Sequence, residues 1–90
     1  MTTDPVRSQI FQDIENERAY QDNRWGDEID KKNTPNDWLA YIASYIGRSL
    51  TFPWNPQHFR AGLIKVAALC VAAIEQCDKT GGNMPKRHYD

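Results

Sequence analysis

Apolar positions recur along the chain at helical spacing and do not alternate as they would in a strand. Val6, Ile10 and Ile14 follow at four-residue intervals with Phe11 beside them, the stripe of an amphipathic helix. Asp4 is suited to cap that helix and Pro5 to occupy its first position, where no N–H is needed. The pattern runs through Tyr20 and stops near Gly26, after which "GDEIDKKNTPND" reads as a polar loop. A second helix opens at "TPND", with Thr34 as cap and Pro35 first, and Asp37 puts negative charge where the helix dipole favours it. Its apolar side is Trp38, Leu39, Ile42, Tyr45, Ile46 and Leu50. Pro53 and Pro56 in "TFPWNP" end it.

The third helix opens with Asn55 as cap and Pro56 as first residue. Its stripe is Phe59, Leu63, Val66, Ala67, Cys70, Ala73, Ile74 and Cys77, which keeps helical spacing. Ile64, Ala68 and Val71 lie outside the stripe, so the middle of the helix is apolar nearly all round. Such a helix is buried on two sides. The expected architecture is therefore all-α: three main helices, a long antiparallel hairpin of the second and third, and the first packed across it. Oligomerisation to a dimer or tetramer completes a four-helix-type bundle, with Leu63, Ile64, Ala67, Ala68, Val71 and Ile74 as interface and core. Ala67, Ala68, Ala72 and Ala73 are small enough to let helices approach closely. A single helical domain covers 1–79, and "KTGGNMPKRHYD" supplies a glycine stop followed by a flexible polar tail over 80–90.

Bulk properties narrow the class. Ninety residues make one small domain whose own core is marginal, so association often supplies the remainder. With 40% hydrophobic and 26% charged residues, the composition is globular. A formal charge of −1 argues against a general nucleic-acid or membrane binder. The opening "MTTDPVRSQ" does not read as the positively charged start of a leader. The longest apolar-rich stretch, 61–74, contains Lys65 and falls short of the roughly 20 residues a membrane span needs. These features make a cytoplasmic protein the expectation.

Chemistry-bearing residues are sparse. Cys70 and Cys77 lie seven apart on one helix, about 10 Å of axial rise, too far to pair with each other; both read as reduced core thiols. With His58 and His88 they match no zinc spacing, and His58 is more than three turns from Cys70, too far for a nucleophile pair. No metal or cofactor is expected. Glu15, Glu17, Asp22, Asp27 and Glu28 spread around a helix and into a loop, which suits solvated surface better than a ligand set. Trp25 reads as a buried anchor for that loop. Trp38, Phe52, Trp54 and Phe59 suit the closure of the hairpin corner, or a stacking platform beside Arg60.

Three segments carry a resemblance. "ERAYQDNRWG" at 17–26, "WLAYIASYIGRSL" at 38–50 and "FRAGLIKVAALCVAAIE" at 59–75 together resemble the short MazG-like proteins of phages, prophages and mobile gene cassettes. That superfamily consists of all-α nucleoside triphosphate pyrophosphohydrolases with E-E-x-x-E on one helix and E-x-x-D on the next. Such spacing clusters carboxylates on one face for Mg²⁺, which holds the triphosphate and activates water. Laid on that pattern by Gly47 and "LIKVAA", the first motif's acids fall on Ser44, Tyr45 and Arg48, and the second's on Gly62 and Lys65. All five are replaced, two by cations. The resemblance thus implies a kept scaffold without the metal-dependent hydrolase chemistry.

Two readings of Arg48 and Lys65 stay open. In one they stand in for the metal's charge and bind a small anion, with hydroxyls from Ser44, Tyr41 and Tyr45. In the other their stems cover apolar surface, or they pair with carboxylates across a subunit interface. The sequence therefore points to a non-catalytic MazG-like protein that binds an anionic ligand or a protein partner. A divergent phosphohydrolase using Glu17 or Asp22 at a shifted site, and a purely structural or regulatory interaction module, are the alternatives.

Overall fold

The structure, a computed structural model, describes residues 4–50 and 53–86. Its four helices are α1 (Pro5–Arg24), α2 (Gly26–Asp30), α3 (Pro35–Leu50) and α4 (Pro56–Lys79), and no strand occurs among the described residues. The helix starts follow from their caps. Asp4 accepts from the backbone N–H of Val6 and Arg7, and Asn55 accepts from those of Gln57 and His58. Thr34 and Asp37 form a reciprocal box: the Thr34 hydroxyl accepts from Asp37 N–H and the Asp37 carboxylate from Thr34 N–H. Two glycines with positive φ, Gly81 and Gly82, end α4, and Gly82 N–H donates back to the Cys77 carbonyl at 2.8 Å.

One helix exceeds the expected three. The segment from Gly26 forms α2 instead of a loop. Gly26 takes φ 76°, which redirects the chain after α1, and Asp27 and Glu28 fall in the new first turn. The helix is short and polar, so it carries no apolar period to betray it.

Helix α4 is the shared wall on which α1 and α3 both pack. α3 runs antiparallel to it, setting Trp38 against Leu69 and Ala72 at one end and Ser49 against Gly62 at the other. α1 runs in the same sense as α4, with Asp13 paired to Arg60 and Arg18 to Glu75. The small Ala68 and Ala72 lie where these helices meet, and both are buried. Trp38, Leu69 and Ala72 form the centre of the core, with Ile42, Tyr45, Ala73 and Met84 packed around them. Met84 thus brings residues beyond Gly82 back onto the core.

Within the chain, one of the two apolar sides of α4 is covered. Ala68, Leu69, Ala72 and Gln76 face inward. Within the chain, the stripe that includes Phe59, Leu63 and Ile74 is turned outward. Cys70 and Cys77 belong to that outward side and are half-exposed, not core thiols. Of the expected interface and core set, Ala68 is fully buried within the chain, Ile64 and Ala67 are half-buried, and Leu63, Val71 and Ile74 are exposed. On α1, Val6, Ile10 and Phe11 of the apolar stripe are exposed and Ile14 is half-buried, while its buried side chains are Arg18 and Gln21. The first helix meets α4 through polar groups, which apolar spacing cannot report.

Candidate functional site

Arg48 lies in the last turn of α3 and Lys65 in the third turn of α4. The antiparallel hairpin brings them to one cleft of about 490 Å³, whose walls also include Tyr45, Ser49, Trp54 and His58. Both cations lie against the Tyr45 ring. The Arg48 guanidinium carbon is 5.0 Å and the Lys65 ammonium 5.3 Å from its ring centroid, both at cation–π range. The two charges therefore lie within about 10 Å of each other, comparable to one Debye length at ~0.1 M salt. The start of α4, where Asn55 and His58 border the cleft, adds the positive end of a helix dipole.

Gly62 forms part of the cleft wall on α4. A β-carbon there would meet Ser49 Oγ at 2.6 Å. Ser49 Oγ in turn donates to the Tyr45 carbonyl at 3.2 Å, holding the hydroxyl beside the glycine. An acidic side chain at position 62 would have to displace it. Near the cleft mouth Trp54 and Phe59 pack with ring centroids 5.2 Å apart and planes tilted by 51°.

Four of the five positions aligned with the acids of the resembled motif, namely Tyr45, Arg48, Gly62 and Lys65, border this single cleft. Ser44 and Tyr41 do not line it; both are exposed on α3. Trp38 is not part of the aromatic corner, since it begins α3 and lies at the far end of the hairpin in the core. Its indole Nε1 is buried and has no hydrogen-bond partner among the described residues. Phe52 and His88, named above, lie outside the described residues.

The acids have other tasks. The Arg18 guanidinium is buried, donating to Asp22 at 2.9 Å and to Glu75 at 3.1 Å, and reaches Gln21 as well. Glu17 accepts from Gln21. Asp27 accepts from Gln76 at 2.8 Å, and that bond, with the Lys79 charge behind it, holds its carboxyl below the ordinary range. Burial pushes the Asp30 carboxyl upward, against the pull of the Arg18 charge, and the neighbouring Asp22, Asp27 and Glu75 add to the push. Among the described residues no group of three His, Cys, Asp or Glu side chains is arranged to hold a metal ion. Trp25 is half-buried, with the Arg24 guanidinium 5.7 Å from its ring, and does not serve as a sealed anchor. This polar cluster ties α1 and α2 to α4. Sequence reasoning treated its acids as surface; the signal available was "ERAYQD", which puts a cation and an amide on one helical face.

Comparisons with protein-family models, curated proteins and solved structures find no match to this chain.

Proposed function

We propose that the chain is a non-catalytic, MazG-like cytoplasmic protein that binds a small oxyanion in the Arg48–Lys65 cleft without a divalent ion. The observation that carries this reading is the convergence of the two cations on the Tyr45 ring, from different helices, at the wall of one cleft. Arg supplies a planar fork for two oxygens and Lys a point charge. Their mutual repulsion is relieved when an anion lies between them. Phosphate or pyrophosphate fits both the charge and the space. The resemblance suggests an accessory role in a mobile element.

A second copy belongs to the same reading. Leu39 and Ile46 of α3 and Leu63 and Ile74 of α4 are exposed, and the groove bordered by Leu39, Ile42, Ile74 and Cys77 joins the two helices. That apolar hairpin face supports completion of a four-helix bundle by self-association.

Equilibrium dialysis of labelled pyrophosphate in EDTA tests the binding, with retention expected. Incubation with nucleoside triphosphates and Mg²⁺ or Mn²⁺ is expected to release no pyrophosphate. Metal-dependent release would instead make the protein a divergent phosphohydrolase.

A further inference from the structure

The outward side of α4 repeats as a seam. Leu63, Ala67, Cys70, Ile74 and Cys77 follow at spacings of four, three, four and three, the register of a helix–helix contact of coiled-coil type. Leu63 and Ile74 are 51% and 59% exposed, and Phe59, one turn before, is 52%. Among the described residues the buried apolar side chains are Trp38, Ala68, Leu69 and Ala72. That is a small core for a chain whose size already makes stability marginal, so the seam needs a cover.

The seam has a composition that fits itself. It is centred on Cys70, with Leu63 and Cys77 each seven residues away. Laid antiparallel on a second α4 with the two-fold axis at Cys70, it sets Ala67 opposite the partner's Ala73 and one residue from the partner's Ile74. Leu63 then meets the partner's Cys77, and Cys70 meets the partner's Cys70. Arg60 and Asp78 lie 18 residues apart, which is five helical turns and so one flank of the seam. The antiparallel register puts Arg60 beside the partner's Asp78 at both ends, within two residues of exact opposition. A parallel pairing would set Arg60 against Arg60 and Asp78 against Asp78, which charge repulsion disfavours. Arg60 also pairs with Asp13 of its own chain through one guanidinium nitrogen, leaving other donors of the fork for a second carboxylate.

We infer that a second copy of this chain covers the α4 seam in an antiparallel, two-fold contact whose axis passes at Cys70. This rests on the self-association in the reading above and adds its register. The contact is isologous: each copy offers the same patch to the other.

Thiol cross-linking of the full chain with a short bis-maleimide reads the register, and light scattering reads the mass. Cys77→Ser, which keeps Cys70, is expected to cross-link to a covalent dimer. Cys70→Ser, which keeps Cys77, is expected to give at least ten-fold less, because the two Cys77 residues sit about 21 Å apart along an antiparallel pair. Both variants are expected to scatter as dimers. A dimer in which Cys70 fails to cross-link, or in which Cys77 cross-links as well as Cys70, overturns the register while self-association stands. A monomeric mass at micromolar concentration overturns both.

Discussion

Arg18 of α1 and Glu75 of α4, 57 residues apart in sequence, are joined by two hydrogen bonds, one from Nε and one from Nη2. The guanidinium is buried, yet its partners Glu75 and Asp22 keep part of their surface in water. The bond therefore closes the α1–α4 contact without sealing an unpaired charge inside it. Arg18→Ala removes the clasp and takes one donor from the buried Gln21 Oε1, while the Gln21 bond to Glu17 stays. The expected loss is about 2–3 kcal/mol, below the 3–5 of a fully buried pair because the carboxylates stay solvated. The exposed Lys31–Glu28 pair gives a control: Lys31→Ala is expected to cost less than about 1 kcal/mol. Urea midpoints measure both, and equal losses would count against the clasp.

Asp30 sets a pH dependence. Its carboxyl is raised above its ordinary value by burial first; the Arg18 charge opposes that shift, and the acids around it add to it. The raised value means the folded state holds the proton more tightly than the unfolded chain. Asp30 thus favours folding below pH about 4, and that contribution is lost as pH rises through the folded value. Asp30→Asn is expected to raise the urea midpoint at pH 7 and to leave it unchanged near pH 3. A variant that lost stability at pH 7 would contradict the assignment.

Trp38 tests the core. Trp38→Ala is expected to cost about 3–5 kcal/mol, as for other large aromatic truncations. Trp38→Phe keeps much of the ring and removes a buried N–H without a partner, a group whose desolvation costs about 1–3 kcal/mol. Its expected loss is accordingly small, under about 1.5 kcal/mol. Denaturant unfolding separates the two variants.

Much of this was legible beforehand, and the failures share one cause. The caps at Asp4, Thr34 and Asn55 and the glycine stop at 81–82 are local chemistry, and they place α1, α3 and α4 where the sequence puts them. Arg48 and Lys65 could be noticed because a cation interrupts an apolar pattern, although which cleft they share depends on hairpin register. Periodicity finds an apolar face but cannot say what covers it. The α4 stripe is real, and within the chain it faces out because Ala68 and Ala72 offer α1 and α3 a closer approach on the other side. The Arg18–Glu75 partnership was not legible for a related reason: "ERAYQD" sets Arg18 and Gln21 on one face, but the long-range polar partner is specified by geometry.

Anion binding also has a thermal signature. Pyrophosphate in EDTA is expected to raise the melting temperature of the wild-type chain with the logarithm of ligand excess, since a ligand that binds only the folded state stabilises it by mass action. Lys65→Met is expected to abolish that shift while keeping the helical circular dichroism. A shift that persists in the variant would move the binding elsewhere.

The most direct measurement is calorimetric titration of pyrophosphate, in EDTA, into the wild-type chain and into Arg48→Ala and Lys65→Ala. Saturable binding is expected for the wild type, weakened at least ten-fold by either substitution, about 1.4 kcal/mol or more. Binding of equal strength in all three proteins, or binding that appears only when Mg²⁺ is supplied, would contradict the Arg48–Lys65 cleft as a metal-independent anion site.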